Sequence, residues 1–319
     1  MIPEELQLLF DGFKASRILL TAVEIDVFTR IGQGATAEKI ACGLGAGFRE
    51  SSILLDALTA LGLLTKHDGT YFNSAWADNY LREGSPQDWR LAIKHRINSW
   101  NTWSGLTGKI IPPEKRHEHA FTRPDSFMGA MEAIGRERAP LVAGAIDLSG
   151  VKKVLDLGGG PGTYCIAIAG SRPDVSACVF DLPEMTAIAR KHIKAAGLEA
   201  RITTRDGDLF KDGFGEGYDL VLISSILHIY GQRENIEILS KARAALRPGG
   251  QVVVQEFILN EDRTGPLSAA MFAVNMLVAT ETGNAYTENE LRRFLGNAGF
   301  SDIKRINLKV PSSLMTGRA

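Results

Sequence analysis

A short apolar run that stops on a cluster of glycines constrains this chain more than any other feature. Lys153-Val154-Leu155-Asp156-Leu157 reads as a strand, and Gly158-Gly159-Gly160-Pro161-Gly162 follows it directly. Glycines at that place let the backbone turn tightly and let a nucleotide come close to the chain. The spacing excludes two common loops. A dinucleotide fingerprint asks for glycine or alanine at position 163 after Gly158 and Gly160, but Thr163 stands there and Gly162 comes one place early. A Walker A loop ends in Gly-Lys-Ser/Thr, which is absent. The G-x-G-x-G pattern that remains suits a cofactor with no pyrophosphate to cradle.

Beyond the loop, strand-like and helical segments alternate. Ala177–Phe180, Ile202–Thr204, Leu220–Ile223 and Gln251–Phe257 read as strands, and Glu184–Ala196 and Arg233–Leu246 as helices. Such alternation implies an α/β domain with a mostly parallel sheet covered by helices. The tail, Ile303–Leu308 and Ser312–Thr316, reads as a closing C-terminal hairpin. Ligands of open α/β sheets bind at the carboxyl ends of strands, and further acids fall there. Asp181 lies about 20 residues beyond the loop, where a carboxylate can accept both ribose hydroxyls. Asp208 follows the next strand, where an acid can accept from an adenine amino group while Leu209 packs on the ring.

The segment before the sheet has a different character. Glu4–Ile31 carries apolar residues at helical spacing, either one amphipathic helix or a bent pair. Thr36 is placed to cap a second helix, and Glu50–Leu63 supplies a third. Leu64-Thr65-Lys66, the turn His67-Asp68-Gly69, and Thr70-Tyr71-Phe72 form a hairpin signal. Three helices and a hairpin make a winged helix. Two helical stretches follow, Gln87–Ile111, stopped by Pro112-Pro113, and Ser126–Ile146, which Pro140 is expected to kink or divide. The expected domains are residues 1–85, a helical linker at 86–149, and a cofactor domain at 150–319.

Composition narrows the partners. Thirty-six basic side chains nearly cancel 37 acidic ones across 319 residues, so no general field favours nucleic acid or an acidic membrane. The three cysteines, Cys42, Cys165 and Cys178, are scattered and form no C-x-x-C pair, which reads as reduced thiols rather than a disulfide or zinc framework. No apolar run approaches the roughly 20 residues of a membrane helix, and the first residues do not read as a secretory signal. The expected location is cytoplasmic.

Four segments carry a resemblance: Val154–Gly160, Phe180-Asp181-Leu182-Pro183-Glu184, Gly207-Asp208-Leu209-Phe210, and Ala245-Leu246-Arg247-Pro248-Gly249-Gly250. Together they resemble the S-adenosylmethionine-dependent O-methyltransferases of the caffeate and acetylserotonin type, over nearly the whole chain. The resemblance implies a Rossmann-like class I methyltransferase domain preceded by a winged-helix-like dimerisation domain, acting as a homodimer on a small acceptor. It implies that Gly158, Gly160 and Gly162 line the methionine and ribose end of S-adenosylmethionine. Asp181 would hold the ribose, with Leu182 beside the adenine, and Asp208 and Leu209 would frame the base. Ser224 falls where plant members carry a lysine near the cofactor.

His228 follows the strand Leu220–Ile223 and so stands at the carboxyl edge of the sheet. A phenol has a pKa of about 10, so a positioned base assists its methylation at neutral pH, and histidine at about 6.5 is suited to the task. The position also matches the family's catalytic histidine, though Ile229 replaces the aspartate that follows it in plant members. Asn275 falls where those members have an acid that orients the histidine, and reads either as a substrate contact or as helix packing. Trp103, Phe127, Met131, Phe272, Asn275 and Met276 are the expected acceptor walls, a setting for a flat aromatic ring. His117-x-His119 lacks a nearby third ligand, and no metal is implied. Two other classes stay open. One is a relative that methylates carbon or uses the cofactor for hydroxylase or decarboxylase chemistry. The other is a winged-helix DNA-binding regulator, disfavoured because the second and third helices carry few basic residues.

Overall fold

The computed structural model describes residues 3–111 and 123–319; the side chains at positions 4, 101, 123–128 and 130 lie outside that description. The chain divides into two compact units, Met1–Ala120 with Asp262–Ala279, and Phe121–Glu261 with Thr280–Ala319.

The first unit opens with α1 (Glu4–Glu24) and α2 (Val27–Ile31), parted by Asp26 in the left-handed region at φ 59°. The apolar spacing of this stretch is thus a bent pair. Next come β1 (Ala35–Thr36) and α3 (Ala37–Leu44), which Thr36 caps by accepting the Lys39 N–H at 3.3 Å. After α4 (Phe48–Ala60), β2 (Leu64–His67) and β3 (Thr70–Asn73) pair antiparallel, with β1 on the far side of β3. Asp68 and Gly69 both take positive φ, the two-residue turn that matches the twist of a hairpin. Asp56 of α4 is buried and accepts from Lys66 Nζ at 2.6 Å and the Tyr71 hydroxyl at 2.7 Å, tying the wing to the helix. The unit continues with α5 (Ala75–Tyr80), α6 (Arg90–Ser104) and α7 (Leu106–Ile110). Val23, Phe28, Leu55, Leu58 and Tyr71 anchor its core.

The second unit begins with α8 (Arg123–Ala145). Pro140 was expected to kink or divide it; the helix is not divided, and Pro140 lies inside it. Pro140 and Arg136 are both exposed, so the carbonyl that loses its partner to the ring can turn to water. The sheet follows: β4 (Lys153–Leu157), α9 (Thr163–Ser171), β5 (Ser176–Asp181), α10 (Pro183–Ala195), β6 (Ile202–Asp206), β7 (Tyr218–Ser224), α11 (Gln232–Ala245) and β8 (Leu246–Glu256). After β9 (Ile258–Leu259), α12 (Leu267–Ala279) belongs to the first unit. The chain ends with β10 (Tyr286–Thr287), α13 (Glu288–Asn297), β11 (Ser301–Asn307) and β12 (Ser313–Arg318).

Seven strands form the main sheet in the order β11-β12-β8-β7-β4-β5-β6. β8, β7, β4, β5 and β6 run parallel, while β12 pairs antiparallel with β8 and β11 with β12, the hairpin expected of the tail. Alternate residues of each strand supply two cores. Val154, Leu220, Leu222 and Val253 pack with Ile168 of α9 and Ile193 of α10. Leu155, Val221, Ile223 and Val252 pack on the other face with Ile238 of α11 and Phe294 of α13. Cover on both faces explains why β4 and β7 read as nearly continuous apolar runs. Chain order reverses between β4 and β7, the switch point at which such sheets open a crevice above their carboxyl ends. Among the described residues, no helix is long and apolar enough to cross a membrane.

Candidate functional site

The glycine loop leaves β4 on one side of the switch point. Gly158, Gly160 and Gly162 take φ of 65°, 51° and 76°, a conformation that β-carbons strain. Gly158 has a second reason to be glycine, since a Cβ there would stand 2.3 Å from Ile226 Cδ1. The loop is tied to the next strand by Asp181 at the end of β5. Its Oδ2 accepts the Gly160 N–H at 2.8 Å and its Oδ1 accepts the Leu182 N–H at 2.7 Å. Burial raises the Asp181 carboxyl above its ordinary value, opposed by those two backbone donors. Each oxygen keeps a lone pair for a ribose hydroxyl. Leu182 is exposed beside it.

Asp208 is already engaged in its own turn: Oδ1 accepts from Phe210 N–H at 2.8 Å and Lys211 N–H at 3.2 Å. Those donors hold its carboxyl below the usual range. Leu209 is partly buried against the sheet core, and Phe210 meets Tyr230 edge to face at 5.0 Å. Ser224 ends β7 with its Oγ donating to Gln255 Oε1 at 2.8 Å, inside a buried polar row.

His228 stands across the switch point, on a short 3₁₀ turn, Leu227–Ile229, that follows β7. Ser225 takes φ of 60° between strand and turn, a rare conformation for a residue with a side chain. The turn is pinned from three sides. Asn235 Nδ2 donates to Leu227 O at 2.9 Å and Tyr230 O at 3.1 Å, and Asn284 N–H donates to His228 O at 2.9 Å. Gly283 passes so close that a Cβ would lie 2.3 Å from His228 O. The third side is Glu256, the last residue of β8. Its Oε2 is 2.7 Å from His228 Nδ1 and its Oε1 accepts the His228 backbone N–H at 3.2 Å. With Nδ1–H directed at the carboxylate, the Nε2 lone pair is the basic site of the ring.

Glu256 was not among the residues singled out from sequence. Its signal is indirect: an acid closes the strand segment Val252-Val253-Val254-Gln255, 28 residues after the histidine. The parallel register of β7 and β8, with Ser224 opposite Gln255, makes the residues just beyond them neighbours. The expected acceptor walls are distributed over the two units. Trp103 is 71% exposed on α6, while Phe272, Asn275 and Met276 lie on α12 with Asn275 exposed and Met276 buried, all in the first unit. Met131 is partly buried on α8 of the second. The Phe127 side chain, Pro112-Pro113, His117 and His119 lie outside the described residues.

A nearly parallel seven-stranded sheet closed by an antiparallel hairpin, with a glycine loop at its switch point and a winged helix before it in the chain, is the architecture of class I methyltransferases. Comparison with known proteins makes this specific. Residues 93–301 match the O-methyltransferase domain model and residues 7–83 the O-methyltransferase dimerisation domain model. A 3-hydroxy-5-methyl-1-naphthoate 3-O-methyltransferase of Streptomyces sahachiroi is 34% identical over 95% of this chain and 90% of its own. Human N-acetylserotonin methyltransferase, solved with S-adenosylmethionine, aligns at TM-score 0.58 and 27% identity over 99% of this chain and 98% of its own. An O-methyltransferase family 2 protein of Planctomyces limnophilus shares the fold at TM-score 0.84 and 24% identity, covering 100% and 98%. The chain belongs to the S-adenosylmethionine-dependent O-methyltransferase family and is a small-molecule methyltransferase.

Proposed function

We propose that this enzyme methylates a hydroxyl on a small aromatic acceptor, with His228 as general base and Glu256 as the group that positions it. The observation that carries this reading is the buried His228–Glu256 pair at the switch point, 2.7 Å apart. The glycine loop fits the cofactor: positive-φ glycines give close backbone approach, and Asp181 offers a carboxylate where a ribose diol would lie. S-adenosylmethionine, when bound, supplies a methyl group on a sulfonium whose departure as a thioether drives the transfer.

The chain's own tasks are alignment and proton removal. Glu256 holds the imidazole through Oε2 and the His228 backbone N–H through Oε1, fixes the proton on Nδ1, and stabilises the charge that His228 gains. His228 Nε2 takes the proton of the acceptor hydroxyl as its oxygen bonds to the methyl carbon. Asp181 and Leu182 orient the nucleoside, with Asp208 and Leu209 on the base. An aromatic acceptor is supported by the naphthoate and N-acetylserotonin enzymes this chain resembles. A homodimer is supported by the dimerisation-domain match and by the exposed stripe Leu6, Leu9, Phe10 and Phe13 along α1, at the spacing of one helix face.

The test separates base from scaffold. His228→Ala is expected to lower turnover on a phenolic acceptor about 10²- to 10⁴-fold while S-adenosylhomocysteine binding is kept. Glu256→Gln should retain the fold and lose a smaller part of the rate. Turnover unchanged in His228→Ala would remove the histidine from this role.

A further inference from the structure

The turn that carries His228 has little structure of its own. Leu227–Ile229 closes with Ile229 N–H to Ile226 O at 3.0 Å and Tyr230 N–H to Leu227 O at 3.2 Å, and 3₁₀ geometry makes such bonds weak. Its setting therefore comes from outside. Glu256 accepts the His228 backbone N–H, and Asn284 N–H donates to the His228 carbonyl. The carbonyls on either side, of Leu227 and Tyr230, both meet one side chain. Asn235, in the first turn of α11, donates from Nδ2 to them at 2.9 and 3.1 Å. Both partners are acceptors, so the amide nitrogen and not the oxygen must face them. Glu234 adds a tie one residue earlier: its Oε2 accepts from Gly231 N–H at 2.9 Å and from the Thr282 hydroxyl at 3.2 Å.

Asparagine is a poor choice here on stability alone. Asn235 is fully buried and stands inside a helix, which disfavours it against leucine or alanine. Its Oδ1 has no partner among the described residues, and a buried oxygen left unpaired is costly. Nor do the two carbonyls depend on it for a donor. Leu227 O also accepts the Tyr230 N–H, and Tyr230 O also accepts the Tyr286 hydroxyl. What the side chain adds is geometry. Its two N–H groups straddle the histidine and fix the tilt of the turn against β8, from which Glu256 reaches Nδ1 at 2.7 Å. We infer that Asn235 is a positioning residue for the reaction, holding the imidazole on Glu256 with Nε2 directed at the acceptor hydroxyl, at a cost in stability. The inference rests on the reading of His228 as the general base.

Leucine has nearly the shape of asparagine and no polar atom to bury, so Asn235→Leu in the full chain separates function from fold. The variant should melt no lower than wild type and keep S-adenosylhomocysteine binding. Turnover of the phenolic acceptor used for His228→Ala should fall about 10- to 100-fold, the penalty of a slightly misplaced group. Nitrogen NMR of histidine-labelled protein should show His228 as a single Nδ1–H tautomer in wild type and as a mixture in the variant, with His228→Ala identifying the signal. Should leucine not fold in that place, Asn235→Ala removes the same donors in a smaller side chain and carries the turnover and tautomer readings. Unchanged turnover, or a His228 signal like that of wild type, would overturn the assignment. So would a leucine variant that binds S-adenosylhomocysteine but melts well below wild type, which would make Asn235 a stabilising residue. Turnover unchanged in His228→Ala would instead overturn the reading of the base beneath it.

Discussion

Asp156 offers the sharpest test of how the sheet carries its polar residues. It sits in the middle of β4, fully buried beneath the glycine loop, where a Cβ at Gly159 would lie 2.7 Å from its Oδ2. Cys165 of α9 donates a weak hydrogen bond to that Oδ2 at 3.6 Å, and Oδ1 has no partner among the described residues. The titratable groups that bear on it are Asp181 on β5 and Cys165 and Tyr164 on α9, while Cys178 of β5 acts on Cys165. Desolvation raises its pKa from 3.8 to about 7. The folded chain therefore keeps a proton that the unfolded chain releases, and stability is lost as pH rises from about 4 through about 7. A shift of about three units corresponds to about 4 kcal/mol, reached in full above the folded pKa. Asp156→Asn has nearly the same shape and no charge to bury. In urea melts of the cofactor-free protein from pH 4.5 to 8.5, it should gain on wild type as pH rises, by up to about 4 kcal/mol, then level off. A stability difference that stays constant over that range would refute the assignment of a destabilising buried charge.

Two further outcomes follow from the same geometry. Gly283→Ala places a methyl against the backbone carbonyls of His228 and Ile229. It should cost about 1–3 kcal/mol and lower turnover by displacing the turn; unchanged melting and activity would refute the close approach. Leu9→Glu with Phe13→Glu sets charge on the apolar stripe of α1, and light scattering should show a monomer; a persistent dimer would place the interface elsewhere.

Much of this protein is legible in its residues because the signals are local. The capping threonine of α3, the Asp68-Gly69 turn and the glycine loop each depend on neighbours within a few positions, where propensity and spacing act directly. Alternation of strands and helices likewise sufficed for a parallel sheet with a closing hairpin. The loop spacing excluded a dinucleotide fingerprint, and the position of His228 after an apolar strand placed it at the sheet's edge.

What only the tertiary structure decided depends on which strands become neighbours. Sequence order says nothing of β7 lying between β4 and β8, yet that order brings Glu256 to His228 and Gln255 to Ser224. The partner of the histidine lay in a strand 28 residues on, a separation that no periodicity reports. Pro140 read as a kink or a division, and the helix is not divided there; both Pro140 and Arg136 are exposed, where water can take the place of the lost hydrogen bond. Local chemistry is written in consecutive residues; burial and pairing across strands are properties of the folded sheet.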